Sequence, residues 1–164
     1  MISKLQKFKT GKAKSGFTII EVLIVLAIAG LILLIVFLAV PALQRNSRNT
    51  AIKNDVQNVV GGVAEYQSAN NGAMPGKIEG TGTIEYMPTS GNANKTSINV
   101  QGSTLVKTAQ AAPSEDSLQV GEITVVIGQK CPSEGSANVV SKRAVAAFFL
   151  IETSSKPVLQ CTDS

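Results

Sequence analysis

The chain has 164 residues, 44% of them hydrophobic, with 15 Lys+Arg against 11 Asp+Glu and no histidine. That length suffices for one compact domain plus an extension, not for two full domains, and without histidine there is no Ser–His or Cys–His relay. The net charge of +4 does not mark a nucleic-acid-binding face: Lys4, Lys7, Lys9, Lys12 and Lys14 all precede Phe17, and beyond residue 16 ten cations face eleven acids, whereas such a face clusters its cations on the folded part.

Residues 1–16 therefore read as a short basic leader, and a basic flank beside an apolar run is held on the cytoplasmic side. From Val22 to Leu43 there are 22 consecutive residues with no charged or strongly polar side chain. As a helix that run is about 33 Å long, enough to cross a hydrocarbon core. It exceeds the apolar part of a secretory signal peptide, and Ala39–Val40–Pro41–Ala42 makes a poor cleavage site because of its proline. The segment is expected to stay attached as a single-pass anchor, with the rest of the chain outside. Glu21 sits at the head of this run, where a charge costs roughly 2.5–3.5 kcal/mol at a membrane helix centre. Something must offset it.

Beyond Leu43 the helix is predicted to continue as an amphipathic one. Ile52, Val56, Val59, Val60, Val63 and Tyr66 recur at three- and four-residue steps, the mark of one apolar stripe. Arg45, Arg48, Lys53, Asp55 and Glu65 are placed on its polar sides. Asn71–Gly72 followed by Pro75 supplies a stop. One helix of about 55 residues results, apolar all round over 17–43 and amphipathic over 44–71, far longer than globular helices run. Pro41 lacks an amide hydrogen and Gly61–Gly62 weakens a later turn. With Asn46, Ser47, Asn49 and Thr50 as mediocre helix formers, a break near 41–50 is the alternative.

Residues 72–164 are expected to form an extracytoplasmic, β-rich globular domain. Residues 72–95 are rich in Gly, Thr, Ser, Asn and Pro and read as an exposed connection with short apolar pieces such as Ile84–Met87. Strands are predicted at Ser97–Val100, Thr104–Ala109, Glu122–Ile127 and Ala144–Ile151, with Val158–Gln160 as a short edge and a surface loop over 110–121. Ala147–Ile151 would also suit a helix. The fold class is α+β: a long N-terminal helix packed by its stripe against a small antiparallel sheet, since neither face is stable alone in water.

Cys131 and Cys161 are the two cysteines. Paired, they would close a loop worth roughly 3–4 kcal/mol by chain entropy, which requires an oxidising space; the other reading is two buried thiols. Two cysteines without histidine or close spacing make a poor metal site, and no Gly-rich nucleotide loop with its Lys and Ser/Thr is present. Asn94–Lys95–Thr96 meets the N-glycosylation pattern, which occurs often by chance. No enzymatic activity and no cofactor are expected.

The stretch KSGFTIIEVLIVLAI, residues 14–28, closely resembles the processing and assembly signature of type IV pilin precursors and of the related type II secretion and competence pseudopilins. The likeness lies in the basic leader ending at Gly16, in Phe17, Thr18 and Glu21, and in the apolar segment that follows. YQSANNGAMP, residues 66–75, is similar to that family's helix ending. The resemblance implies cleavage between Gly16 and Phe17 by a prepilin peptidase that also N-methylates Phe17. It implies assembly into a homo-oligomeric filament through Phe17, Thr18 and Glu21, with Glu21 attracting the Phe17 amine of a neighbouring subunit. An assembly ATPase, an inner-membrane platform and minor pilins are the implied partners. The precursor would sit in the cytoplasmic membrane with its N-terminus inside, and the product in a cell-surface or extracytoplasmic filament. Gly30 and Pro41 are where the helix would loosen, although the family's usual proline position holds Leu38. Ala27, Ala29 and Gly30 would permit close helix approach. The alternatives are a pseudopilin of a secretion or DNA-uptake machine, and an unprocessed single-span protein presenting an adhesive or binding domain.

Overall fold

The computed structural model describes residues 16–90, 94–101, 104–132 and 139–164; the leader, Gly16 excepted, lies outside the described residues. The chain divides after Pro41 into two compact units, taken here in turn. One helix, α1 (Ile19–Ala69), contributes to both and contains Pro41. Residues 41–50 are helical throughout, so the alternative break does not occur.

In the first unit every residue of α1 is exposed. Leu, Ile, Val and Phe side chains cover all sides of the helix, and none of its most apolar window is buried. Each large apolar side chain left in water forfeits roughly 1.5–3 kcal/mol relative to burial. A helix apolar all round is therefore built for a non-aqueous neighbour, and this one is long and apolar enough to cross a membrane.

In the second unit the rest of α1 packs on a seven-stranded sheet. Its strands are β1 (Lys77–Thr81), β2 (Thr83–Met87), β3 (Thr96–Asn99), β4 (Leu105–Ala109), β5 (Glu122–Lys130), β6 (Val139–Ile151) and β7 (Val158–Asp163). The spatial order is β3-β2-β1-β4-β5-β6-β7. The fold is α+β, with a sheet that is larger than anticipated and mixed rather than purely antiparallel: β4 and β5 run parallel. Parallel neighbours need a crossover of a dozen or so residues, and the stretch 110–121, with a short 3-10 turn at Glu115–Ser117, supplies it.

The β1–β2 hairpin corrects the reading of residues 72–95 as a connection. Gly82 alone joins the strands, at φ 73°, and Thr81 pairs with Thr83 across it. Gly80 adopts φ 148° where an added Cβ would strike the carbonyl of Thr83. The glycines that looked like linker composition are what let the chain reverse so tightly. Ile78, Ile84 and Tyr86 then point inward and are fully buried.

The helix stripe Ile52, Val56, Val59, Val63 and Tyr66 meets Ile78, Ile84, Tyr86, Val106, Ile123, Val125, Val145, Ala147 and Phe149 in one core. Residues 145, 147 and 149 face the helix, whereas Ala146 and Phe148 join Val126 in a second cluster with Ala109, Ala112, Leu159 and both cysteines. That period of two settles Ala147–Ile151 as strand. Asp55, expected on a polar side, is fully buried. It accepts hydrogen bonds from Gln101 N at 2.9 Å and Thr104 Oγ1 at 2.6 Å, so a carboxylate costly to bury is matched by donors.

Gly62 is a notch. The Tyr86 hydroxyl lies over it and donates to the Val59 carbonyl at 2.7 Å, and a Cβ at Gly62 would collide with the tyrosine ring. Burial pushes the Tyr86 pKa well above the ordinary range, so the group stays protonated and donating. The helix stops in left-handed residues Asn71 (φ 54°) and Gly72 (φ 80°), where Gly72 N bonds back to Gln67 O at 2.7 Å. Asn70 ties this end to Asn94, donating to its carbonyl and accepting from its amide.

Candidate processing and assembly site

Gly16, Phe17 and Thr18 are outside the helix and exposed. Among the described residues nothing lies within 4 Å of where a Cβ on Gly16 would stand, and Phe17 is 87% exposed.

Helix α1 begins immediately after Thr18 because Thr18 and Glu21 cap it reciprocally. Thr18 N and Thr18 Oγ1 each donate to Glu21 Oε2 at 2.8 Å, and Glu21 N donates to Thr18 Oγ1 at 3.3 Å. This is a capping box, in which a Thr and a Glu three residues on satisfy each other's amide hydrogens. The pattern is legible as Thr18-x-x-Glu21 ahead of an apolar run, and it gives Glu21 a partner within its own chain in addition to the neighbouring Phe17 amine that the resemblance implies. Among the described residues the Phe17 nitrogen makes no hydrogen bond to Glu21; the partner on Glu21's own helix is Thr18. Phe17, Glu21, Val22, Val25 and Leu26 line a groove of about 310 Å³, in which Glu21 is the sole ionisable side chain among the described residues.

Gly30 and Pro41 both sit within regular helix, and among the described residues nothing lies within 4 Å of a Cβ built on Gly30. Cys131 and Cys161 form a disulfide, with Cα atoms 5.7 Å apart. It joins the end of β5 to β7, and Asp163 Oδ2 accepts from Cys131 N at 2.9 Å.

A second polar cluster was not anticipated. Arg48 donates through Nε and Nη2 to the two carboxylate oxygens of Glu152, both at 2.6 Å. Asn49 pairs with the Glu152 backbone in both directions at 2.8 Å. The Arg48 hydrogen bond, aided by the positive charges of Arg48 and Arg45, holds the Glu152 carboxyl below the usual carboxylate range. The same bond raises the Arg48 pKa. These contacts join residues 48–49 of the helix to the end of β6, beside a cavity of about 230 Å³ lined by Ile52, Thr104, Val120 and Leu150 among others. They keep the Asn- and Ser-rich stretch helical against its own weak propensity. Among the described residues no group of three or more His, Cys, Asp or Glu side chains could hold a metal ion.

Residues 11–37 match the family model described as the prokaryotic N-terminal methylation motif. No curated protein and no solved structure matches the chain. The chain thus carries the prepilin N-methylation motif found in type IV pilins and pseudopilins, and the likeness holds at the level of that motif.

Proposed function

We propose that the chain is the precursor of a type IV pilin-like structural subunit. A prepilin peptidase cuts after Gly16 on the cytoplasmic face, removing residues 1–16, and the new amine of Phe17 is methylated. Residues 17–43 hold the subunit in the membrane and then pack against other copies. Residues 44–71 carry the sheet-packing stripe, and 72–164 form the extracytoplasmic domain with its Cys131–Cys161 bond. A cytoplasmic ATPase and a membrane platform drive extraction, minor pilins assist, and the subunit catalyses nothing.

The observation that carries this reading is the conjunction of the methylation motif at 11–37 with an exposed Gly16 and Phe17 and an apolar helix exposed on every side. In a low-dielectric bundle the Glu21 carboxylate and a neighbour's Phe17 amine attract strongly, whereas an unmated charge there is costly. That pairing would set axial register.

Mass spectrometry of the protein from its native membrane tests the proposal. The expected N-terminus is N-methylated Phe17. An intact residue 1 in cells whose peptidase is active would refute it and favour an unprocessed single-span protein. Deleting the chain should abolish surface fibres. Loss of secretion or DNA uptake with fibres unchanged would instead assign it to a pseudopilin machine.

A further inference from the structure

We infer that Arg48, Asn49 and Glu152 form a releasable strap within the second unit. Closed, it holds residues 42–51 of α1 as helix against the end of β6; open, it frees that segment while the core stays folded. Among the described residues, every hydrogen bond that 42–51 make outside their own helix ends on Glu152. Arg48 takes both carboxylate oxygens. The Asn49 side-chain amide pairs with the Glu152 N–H and C=O as a neighbouring peptide would. One residue, the first beyond β6, thus carries the whole tie.

The helix differs on the two sides of residue 52. Ile52 is its first buried residue, and Val56, Val59 and Val63 beyond it are at most 1% exposed, so opening there would break the core. None of residues 42–51 is buried. Pro41 brings no amide hydrogen to the Phe37 carbonyl, and Asn46, Ser47, Asn49 and Thr50 are weak helix formers. The Arg48 side chain is 55% exposed, so opening exchanges its bonds for bonds to water at modest net cost. Segments with few buried apolar contacts are where local opening occurs. Residues 42–51 span about 15 Å as helix and up to about 33–36 Å extended, so release adds roughly 20 Å of reach. For a subunit drawn out of a membrane, a consequence that rests on the function proposed above, the adjustment falls in 42–51 and the domain arrives folded.

Hydrogen exchange of the full chain in detergent micelles, followed amide by amide in low urea, tests the strap without requiring processing or assembly. In the parent, amides 46–51 should exchange at least about a hundredfold faster than those of Val56, Val59 and Val63, and with little urea dependence, because a local opening exposes little surface. Glu152→Ala should speed 46–51 by about tenfold, the shift expected from losing charge-assisted hydrogen bonds. Asp55→Ala is the control. Its lost bonds to Gln101 and Thr104 weaken the closed and open forms alike, so the core amides should speed by at least about thirtyfold while 46–51 keep their parent rates. Exchange of 46–51 together with the core, with the same urea dependence and the same response to Asp55→Ala, would overturn the strap as a separate unit. Unchanged rates at 46–51 in Glu152→Ala would show that these three residues do not hold the segment. Either result would leave the proposed function standing, since that is decided by the mature N-terminus and by fibres.

Discussion

Two adjacent helical glycines should respond in opposite directions to the same substitution. At Gly61 an added Cβ meets nothing within 4 Å among the described residues, so Gly61→Ala should stabilise the fold by about 1 kcal/mol, the helix-propensity difference. Gly62→Ala carries the same intrinsic gain, but its methyl would stand against the Tyr86 ring and hydroxyl. Either the tyrosine stays and the core is overpacked, at about 1–3 kcal/mol, or it moves and leaves the buried Val59 carbonyl without its 2.7 Å bond, at about 1–3 kcal/mol. The two variants should thus separate by about 1–3 kcal/mol, with Gly62→Ala the weaker. Denaturant titration of the full chain in detergent, followed by tyrosine fluorescence, measures both midpoints, and adding Tyr86→Phe to Gly62→Ala should recover part of the loss. Equal midpoints for the two alanine variants would refute the notch.

Asp55→Ala removes the acceptor for Gln101 N and Thr104 Oγ1; it should cost about 2–4 kcal/mol through orphaned donors and a cavity, and hydrogen exchange should show the Gln101 amide losing protection. Cys161→Ser should cost roughly 3–4 kcal/mol by loop entropy, seen as a lower denaturant midpoint and faster proteolysis; an unchanged midpoint would contradict a stabilising bond. Because Arg48 lowers the Glu152 pKa, the stability this residue contributes is present above the unfolded carboxylate's pKa and disappears as pH falls through the lower folded value. Glu152→Gln should accordingly be less stable than the parent near neutrality, with the gap closing in acid; a pH-independent difference would refute the linkage.

Period and composition carried much of the outline. The stripe from Ile52 to Tyr66 was legible because a helix face repeats every three or four residues, and the uncharged run Val22–Leu43 because no aqueous fold readily hides it. β5 and β6 were legible in part, through Thr124–Ile127 and Ala144–Ile151. The β1–β2 hairpin was not, since Gly80 and Gly82 have the composition of a linker until their left-handed backbone is seen. The Thr18–Glu21 box has a local pattern, a Thr and a Glu three residues apart ahead of an apolar run, yet its hydrogen bonds are seen only in the structure.

By itself the sequence determined the membrane-compatible helix, its methylation motif, the sheet-facing stripe and the β-rich remainder, because these depend on local periodicity and on residues near one another in the chain. Only the tertiary structure decided the strand order with its parallel β4–β5 pair, the burial of Asp55, the seat of Tyr86 on Gly62 and the pairing of Arg48 with Glu152. Each of these joins residues far apart in sequence, where a carboxylate, a glycine or an arginine acquires its meaning from the partner that folding brings to it.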